Sequence, residues 1–223
     1  MESIIITIDG ASSTGKSSLA KAIAKHYGFK HIDSGAMYRA LTFYAQDKKL
    51  LDDHFFDVQT LTSHLPTIDI DFSKKDDITL NGKIIEDKVR SMEISNKVSI
   101  VAKERQLRQF MVAKQRQLGA KGSVVMDGRD IGSVVFPNAT IKFFLKASME
   151  VRSSRRHAEL VDKGKHVSIE EVRANIAKRD HIDSNRDDSP LVVPENAIVL
   201  GNDKDGLTGL FNLAISEIDK RIS

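Results

Sequence analysis

The chain has 223 residues, 40% of them hydrophobic and 29% charged, and 34 Lys+Arg against 31 Asp+Glu give a formal net charge of +3. This composition is typical of a globular protein and argues against collagen-like, disordered and low-complexity chains. No cysteine is present, which excludes disulfide bonds, cysteine-based zinc sites and thiol catalysis.

Predicted strands and helices alternate along most of the chain. Apolar and β-branched runs predict strands at residues 3–9, 29–32, 123–126, 140–145 and 197–200. Apolar residues at helical spacing predict helices at residues 16–27, 35–46, 148–163, 169–182 and 206–221. Gly28 is expected to end the first helix and Ser34 to cap the second. The alternation predicts an α/β fold with a parallel sheet.

Residues 66–87 break this alternation, because their apolar residues recur with a period of two. Asn81 and Gly82 lie between two β-rich runs, and this pair favours the positive φ angles of a tight hairpin turn. The segment predicts a small antiparallel insert on the parallel core. An ordinary edge hairpin without function is the alternative.

Residues 10–17 read Gly-Ala-Ser-Ser-Thr-Gly-Lys-Ser and match the pattern of a phosphate-binding loop. The loop follows a predicted buried strand and begins a helix, so that backbone N–H groups and the positive helix end face one phosphate. Lys16 is expected to reach the β- and γ-phosphates, and the Ser17 hydroxyl to bind Mg²⁺. The residues predicted to bind a nucleoside triphosphate are Gly10, Ala11, Ser12, Ser13, Thr14, Gly15, Lys16, Ser17 and Ser18.

Three classes of phosphate-loop protein compete. A switch GTPase needs Asn-Lys-x-Asp, and residues 202–205 read Asn-Asp-Lys-Asp, in the wrong order. A nucleic-acid motor places aromatic side chains along its groove, whereas this chain has no tryptophan and 6% aromatic residues. The remaining class is a small-molecule kinase, which needs arginines from separate segments to hold a second anion beside the triphosphate.

The arginines of this chain fit that requirement. Arg39 follows the second predicted strand, and Arg129 lies in Asp-Gly-Arg-Asp at residues 127–130, after the third. A helix face carries Arg152, Arg155 and Arg156. Arg179, Asp183 and Arg186 recur at helical spacing further along the chain.

The combination resembles bacterial cytidylate kinases over essentially the whole chain. The resemblance rests on the phosphate loop, on Asp-Ser-Gly-Ala-Met-Tyr-Arg at 33–39, on Asp-Gly-Arg-Asp-Ile-Gly at 127–132, on Arg-x-x-Arg-Arg at 152–156 and on Arg-Asp-x-x-Asp-x-Asn-Arg at 179–186. It implies transfer of the γ-phosphoryl group of ATP to CMP or dCMP. It also implies a P-loop NTPase-type five-stranded parallel sheet flanked by helices, with a small antiparallel NMP-binding insert and a helical lid.

The resemblance further implies one domain over 1–223, with its core at 1–60, 100–150 and 186–223, the insert at about 61–99 and the lid at about 151–185. The catalytic residues would be Lys16, Arg129, Arg152, Arg156 and Arg186, and the metal ligand Ser17. The acceptor phosphate would be held by Arg39, Arg129 and Arg186, the cytosine by Ser99, Arg108 and Asp130, and the ribose by Asp183 with Arg179. Ser34 would cap a helix and also contact the substrate.

On the residues alone, several of these roles have ordinary alternatives. Ser99 and Arg108 read as residues of an exposed helix, and Asp183 with Arg179 as a surface ion pair. Asp33 and Asp127 follow predicted strands and are expected to order the waters of the metal rather than to bind it. Residues 201–205 depart from the family pattern near the donor base, which leaves the adenine contacts open.

The expected partners are the small molecules ATP and CMP or dCMP, with Mg²⁺ and without nucleic acid or membrane. Apolar runs fall short of the roughly 20 residues of a membrane span, and residues 1–6 lack the features of a secretory signal. We therefore expect a cytoplasmic protein, and the resemblance implies a monomer. Two rival functions stay open on the sequence: another small kinase of the UMP, thymidylate or shikimate type, and a nucleic-acid-binding module controlled by ATP.

Overall fold

The computed structural model describes residues 3–203 and 206–222. The chain divides into two compact units. Unit 1 comprises Met1–His31 and Gly119–Ser223, and unit 2 comprises Ile32–Leu118. Unit 1 is therefore built from two stretches that are distant in sequence.

The elements follow one another in the order β1 (Ile5–Gly10), α1 (Lys16–Tyr27), β2 (Lys30–Asp33), α2 (Ser34–Asp47), α3 (Val58–His64), β3 (Ile70–Phe72), β4 (Ile78–Leu80), β5 (Lys83–Ile84), α4 (Glu86–Val89), α5 (Met92–Lys103), α6 (Arg105–Gly119), β6 (Val124–Gly128), β7 (Ile141–Lys146), α7 (Met149–Asp162), α8 (Ile169–Asn185), β8 (Ile198–Gly201) and α9 (Gly206–Ile222). A 3₁₀ turn at Leu65–Thr67 and a π-helical turn at Ile131–Val135 complete them.

A five-stranded sheet has the strand order β2-β6-β1-β7-β8, with β1 at its centre. β1 runs parallel to both neighbours, with Ile5 opposite Val124 on β6 and Ile8 opposite Phe143 on β7. The continuous β-branched run of β1 suits a strand covered on both faces. Helices α1 and α9 pack residues such as Leu19 into the same core. The predicted five-stranded parallel sheet flanked by helices is confirmed.

Unit 2 contains a separate three-stranded antiparallel sheet in the order β3-β4-β5. Asn81 and Gly82 connect β4 to β5 with φ angles of 48° and 74°, as the hairpin prediction requires. Ile70 and Ile78 of this sheet are buried, as is Leu41 of α2. The small antiparallel insert is therefore confirmed.

The bounds and caps differ from the prediction in detail. Each observed strand of the large sheet ends one or two residues later than predicted, and the end residues are Gly10, Asp33, Gly128, Lys146 and Gly201. Polar residues and glycine weaken a sequence pattern, but their backbones still join the ladder. The predicted cap of α2 is wrong, because the Asp33 carboxylate accepts the Ala36 N–H at 2.8 Å while Ser34 is the first residue of the helix.

No helix in the described part of the chain is both long enough and apolar enough to cross a membrane.

Candidate active site

The loop between β1 and α1 has the backbone of a phosphate cradle. Gly10, Ser13 and Gly15 adopt φ angles of 150°, 60° and 96°. A Cβ atom on Gly10 would collide with the carbonyl oxygen of Leu145, and one on Gly15 would lie 2.5 Å from the Asn202 side-chain nitrogen. Gly10 is therefore required by the close approach of a strand backbone as well as by its φ angle, whereas a Cβ on Gly15 would displace the Asn202 side chain.

Lys16 lies at the first position of α1 and is only 5% exposed. Its ammonium group donates to the Ala11 carbonyl oxygen at 2.6 Å and to Thr14 Oγ1 at 3.3 Å, so it lies within the loop. Burial, together with the positive charge of Arg129, lowers the pKa of Lys16 to about 7. A phosphate anion at this position would favour the charged form.

Asn202 braces the loop from the end of β8. Its side-chain nitrogen donates to the Thr14 carbonyl oxygen at 2.8 Å, and its oxygen accepts from Arg155 at 3.3 Å. In the comparison with the family pattern, residues 201–205 bear on the donor base, and the last two of these, Lys204 and Asp205, lie outside the described residues. The bracing role of Asn202 was not predicted, since nothing in the linear pattern connects it to a loop almost two hundred residues earlier.

Ser17, Asp127 and His31 form a hydrogen-bonded row beneath the loop. The Ser17 hydroxyl donates to Asp127 Oδ2 at 2.6 Å, and Asp127 Oδ1 lies 2.8 Å from His31 Nε2. A hydroxyl and a carboxylate side by side suit Mg²⁺, which prefers oxygen ligands and keeps several waters. The described residues contain no group of three or more His, Asp or Glu side chains able to hold a metal alone. The donor set thus fits an ion completed by water and substrate phosphates.

Arg129 connects the phosphate loop to α8. Its Nη2 donates to Ser12 Oγ at 2.9 Å, and its Nε donates to Asp183 Oδ2 at 2.9 Å. Burial alone would raise the pKa of Asp183, but Arg129, Arg179 and Arg186 hold it below its usual value. Asp183 is buried, so it is not the surface ion-pair residue that its spacing also allowed.

Arg152 of α7 reaches the same loop. Its Nη1 donates to the Ser12 carbonyl oxygen at 3.1 Å and to Asp180 Oδ2. Asp180 also accepts the Ser12 N–H at 3.0 Å. Asp180 had no predicted role, although it lies within the Arg-Asp-x-x-Asp motif. Arg156, by contrast, donates to Glu159 of its own helix at 2.8 Å.

Asp130 and Arg186 form a second buried pair in unit 1. Arg186 Nη2 lies 3.5 Å from Asp130 Oδ1, and Arg186 Nε donates to the Ser189 carbonyl oxygen at 2.7 Å. The π-helical turn after Asp130 is fixed by the fully buried Asp9, whose two carboxylate oxygens accept the N–H groups of Ile131 and Gly132 at 2.8 and 2.7 Å. Unit 1 therefore presents its charged groups in fixed orientations.

In unit 2, Asp33 lies between two guanidinium groups. Its Oδ2 is 3.0 Å from Arg39 Nη2 and 3.0 Å from Arg90 Nη2, and Arg90 also pairs with Glu86. Asp33 was predicted to order metal waters, but within unit 2 it caps α2 and pairs with these arginines. Arg90 was not singled out, because it stands in no recognisable motif.

Ser99 and Arg108 do not belong to an exposed helical surface, and that alternative is wrong. Arg108 is 1% exposed, donates to the Ala102 carbonyl oxygen at 3.1 Å and lies over the Tyr38 ring at 5.7 Å. Ser99 and Ser34 are also buried. A buried arginine is uncommon unless it is paired or serves a ligand.

The sequence comparisons agree on one family. A family model described as cytidylate kinase matches residues 6–220. The chain is 45% identical over 207 residues to the cytidylate kinase of Flavobacterium johnsoniae, covering 91% of this chain and 90% of that protein. It is 44% identical over 223 residues to the cytidylate kinase of a Geobacillus species, strain WCH70, with 98% and 94% covered. It is 41% identical over 228 residues to the cytidylate kinase of Phocaeicola vulgatus, covering 97% of this chain and 100% of that protein.

Solved structures share the fold at low identity. An uncharacterized protein from Eubacterium ventriosum has a TM-score of 0.55 and 14% identity, covering 99% of this chain and all of that chain. A gluconokinase from Sinorhizobium meliloti has a TM-score of 0.50 and 14% identity, with 97% and 92% covered. These similarities support the P-loop NTPase fold and carry no information on the substrate.

Proposed function

Because the chain belongs to the cytidylate kinase family, we propose that it phosphorylates CMP and dCMP with the γ-phosphoryl group of ATP, releasing ADP and CDP or dCDP. The family match over residues 6–220 favours this acceptor over those of UMP, thymidylate and shikimate kinases. The same family match also disfavours the alternative of a nucleic-acid-binding module controlled by ATP.

The observation that carries the mechanism is the convergence of positive charge on the phosphate loop of unit 1. Lys16 lies inside the loop, while Arg129 and Arg152 both bind Ser12. Fixed cations at this position offset the charge of a triphosphate and of the phosphoryl group in transfer. Arg155 reaches the loop through Asn202, and the proposed lid residue Arg156 stays with Glu159.

No general base is needed for this reaction. The attacking atom is an oxygen of the acceptor phosphate, which is ionised at neutral pH, so rate enhancement comes from alignment and charge stabilisation. Alignment of the phosphates and stabilisation of their charge are the roles that we propose for Lys16, Arg129, Arg152, Arg156 and Arg186. We propose that residues 151–185, which include all of α8 and all but the first two residues of α7, act as the lid.

For the metal, we propose that the Ser17 hydroxyl binds Mg²⁺ and that Asp127 orders its waters. The ion would neutralise charge on the β- and γ-phosphates. Ser17 Oγ donates a hydrogen bond to Asp127, so the lone pairs of the Ser17 oxygen remain available for a cation. His31 contacts the other oxygen of the same carboxylate and so fixes its orientation.

For the acceptor, we propose the residues implied by the resemblance. In unit 1 these are Arg129, Asp130, Arg179, Asp183 and Arg186. In unit 2 they are Ser34, Arg39, Ser99 and Arg108. The proposal for unit 2 is supported by the burial of Arg108 and Ser99, since a guanidinium and a hydroxyl fixed inside a protein match the acceptors and donor of a cytosine edge. A monomeric state, a cytoplasmic location and the absence of nucleic-acid partners remain predictions.

A coupled assay of ADP release tests this function. At fixed Mg²⁺ and ATP, the protein is given CMP, dCMP, UMP, dTMP, AMP and shikimate in turn, and we expect CMP or dCMP to give the highest kcat/KM. Lys16→Met serves as the control for contaminating kinases and should lose the activity. If UMP, AMP and dTMP were all turned over faster than CMP, the proposed acceptor would be wrong.

A further inference from the structure

Asp180 of α8 joins the phosphate loop to an arginine of α7. Its Oδ1 accepts the Ser12 N–H at 3.0 Å, and its Oδ2 accepts from Arg152 Nη1. The same Arg152 nitrogen donates to the Ser12 carbonyl oxygen at 3.1 Å. The three residues thus form a closed ring of hydrogen bonds around the backbone of one loop residue.

The orientation of the Arg152 guanidinium depends on this ring. The Arg152 side chain is 9% exposed, and its Nε has no hydrogen-bond partner among residues 3–203 and 206–222. Besides Asp180 and Ser12, it makes only a weak contact, from Nη2 to Met149 Sδ at 3.8 Å, within the described residues. An arginine side chain has several rotatable bonds, so a fixed carboxylate partner removes most of its freedom before substrate arrives.

A second ion pair also joins α7 to α8. Arg173 of α8 binds Glu150 of α7 at 3.2 Å, and both side chains are more than half exposed. Asp180 also contributes negative charge that raises the pKa of Arg129, the other guanidinium bound to Ser12. Its carboxylate therefore faces the cations of the loop rather than the solvent-exposed side of the helix pair.

We propose that Asp180 is a positioning residue for phosphoryl transfer, which acts by holding the Arg152 guanidinium at the Ser12 edge of the phosphate loop. The inference rests on the proposed function, in which Arg152 stabilises the transferring phosphoryl group. Because the carboxylate pairs with the arginine directly, its loss should change the rate of transfer more than the binding of ATP.

The test uses the full chain and four variants: Asp180→Asn, Arg152→Ala, the double variant, and Glu150→Gln. Asp180→Asn keeps the size of the side chain and an oxygen that can accept the Ser12 N–H. It places an amide N–H₂ group opposite Arg152 Nη1, and this group cannot accept the hydrogen bond from the arginine. Glu150→Gln is the matched control, since it removes the acidic partner of an arginine between the same two helices at an exposed position. The readouts are kcat and KM for CMP and ATP, the Kd of a non-hydrolysable ATP analogue, and the unfolding temperature.

We expect Asp180→Asn to lower kcat by about 10- to 100-fold and Arg152→Ala by about 100-fold, on the scale of losing one well-placed donor. The Kd of the ATP analogue should change by less than threefold in Asp180→Asn. The double variant should be no slower than Arg152→Ala, because Asp180 acts through the arginine. Glu150→Gln should keep the kcat of the parent protein.

Three results would overturn the inference. If the losses in kcat multiplied in the double variant, Asp180 would act independently of Arg152. If Arg152→Ala kept the parent kcat, there would be no catalytic arginine to position, while CMP phosphorylation by the parent protein would still uphold the proposed function. A drop in the unfolding temperature with an unchanged kcat would likewise reduce Asp180 to a structural residue.

Discussion

At the scale of single residues, the buried ammonium group of Lys16 couples nucleotide binding to protonation. Burial and the charge of Arg129 lower the pKa of Lys16 to about 7, so most of the unliganded protein carries a neutral lysine at pH 8. Phosphates placed beside this nitrogen favour its charged form and raise its pKa toward the usual value. Binding must then take up a proton.

We therefore predict that ATP binding at pH 8 takes up close to one proton per site, because ATP itself is fully ionised at that pH. Isothermal titration in buffers of different ionisation enthalpy measures this number. The affinity for ATP should also weaken as the pH rises above about 7. Lys16→Met should bind ATP more weakly and without proton uptake. A binding enthalpy independent of the buffer in the parent protein would contradict the prediction.

Sequence motifs located the residues of the phosphate loop and the arginines of unit 1, but not their partners. Asp180 and Asn202 contact the phosphate loop directly, and His31 reaches it through Asp127; each is brought there by an element distant in sequence. Their residue types are ordinary, and only tertiary contacts give them a role. The burial of Arg108 was missed for the same reason, since a helical pattern with many charged neighbours reads as an exposed surface.

At the scale of elements, the junction of β1 with the phosphate loop tolerates only glycine. Gly10 lies at the end of β1 with a φ of 150°, and a Cβ there would meet the backbone of Leu145 on the adjacent strand. Gly28, at the end of α1, has a φ of 70°, but no atom lies within 4 Å of the position that a Cβ would take among the described residues. The two sites separate the cost of backbone strain from the cost of a collision.

We predict that Gly28→Ala lowers the free energy of unfolding by about 1 kcal/mol, the cost of a left-handed conformation for a residue with a Cβ. Gly10→Ala should lower it by about 3 kcal/mol or more, since the collision with a strand adds to the strain. Urea denaturation of both variants beside the parent protein measures the difference. Equal losses in the two variants would show that the strand moves aside without cost.

The order of the strands of the large sheet and of the helices that flank them in sequence, α1, α2, α7, α8 and α9, was predictable, because β-branched runs and helical periodicity are local signals. The strand ends were placed too early, since Asp33 and Asp127 look like loop residues although their backbones belong to strands. The π-helical turn at Ile131–Val135 was not predicted, because it is fixed by the carboxylate of Asp9 on another strand. The patterns also did not delimit α5 and α6, which carry Ser99 and Arg108.

At the scale of the whole molecule, Asp9 gives global stability a dependence on pH. Burial is the main reason that the pKa of Asp9 is raised to about 7, and the negative charge of Asp130 acts in the same direction. The hydrogen bonds from the N–H groups of Gly132 and Ile131 act in the opposite direction and lower the pKa. The folded protein therefore holds a proton between about pH 4 and pH 7 that the unfolded chain has released. Stability then falls as the pH rises through this window.

We predict that the stability advantage of the parent protein over Asp9→Asn shrinks as the pH rises from 5 to 8. The difference in the free energy of unfolding between the two proteins should fall by at most about 1.4 kcal/mol per pH unit, the value for the release of one proton. Urea denaturation of both proteins at pH 5, 6, 7 and 8 measures it, and the comparison cancels groups that titrate equally in both. A difference that stays constant over this range would contradict the prediction.

The central position of β1 also has a consequence for biosynthesis. Its two neighbours, Val124–Gly128 and Ile141–Lys146, leave the ribosome more than a hundred residues after it does. Until then the apolar amino-terminal strand has no partner in its own sheet, and an unpaired strand of this kind is prone to aggregate. Unit 2 is translated completely during this interval. The nascent chain must therefore keep its first strand shielded, by chaperones or transient contacts, until the strands that enclose it have emerged.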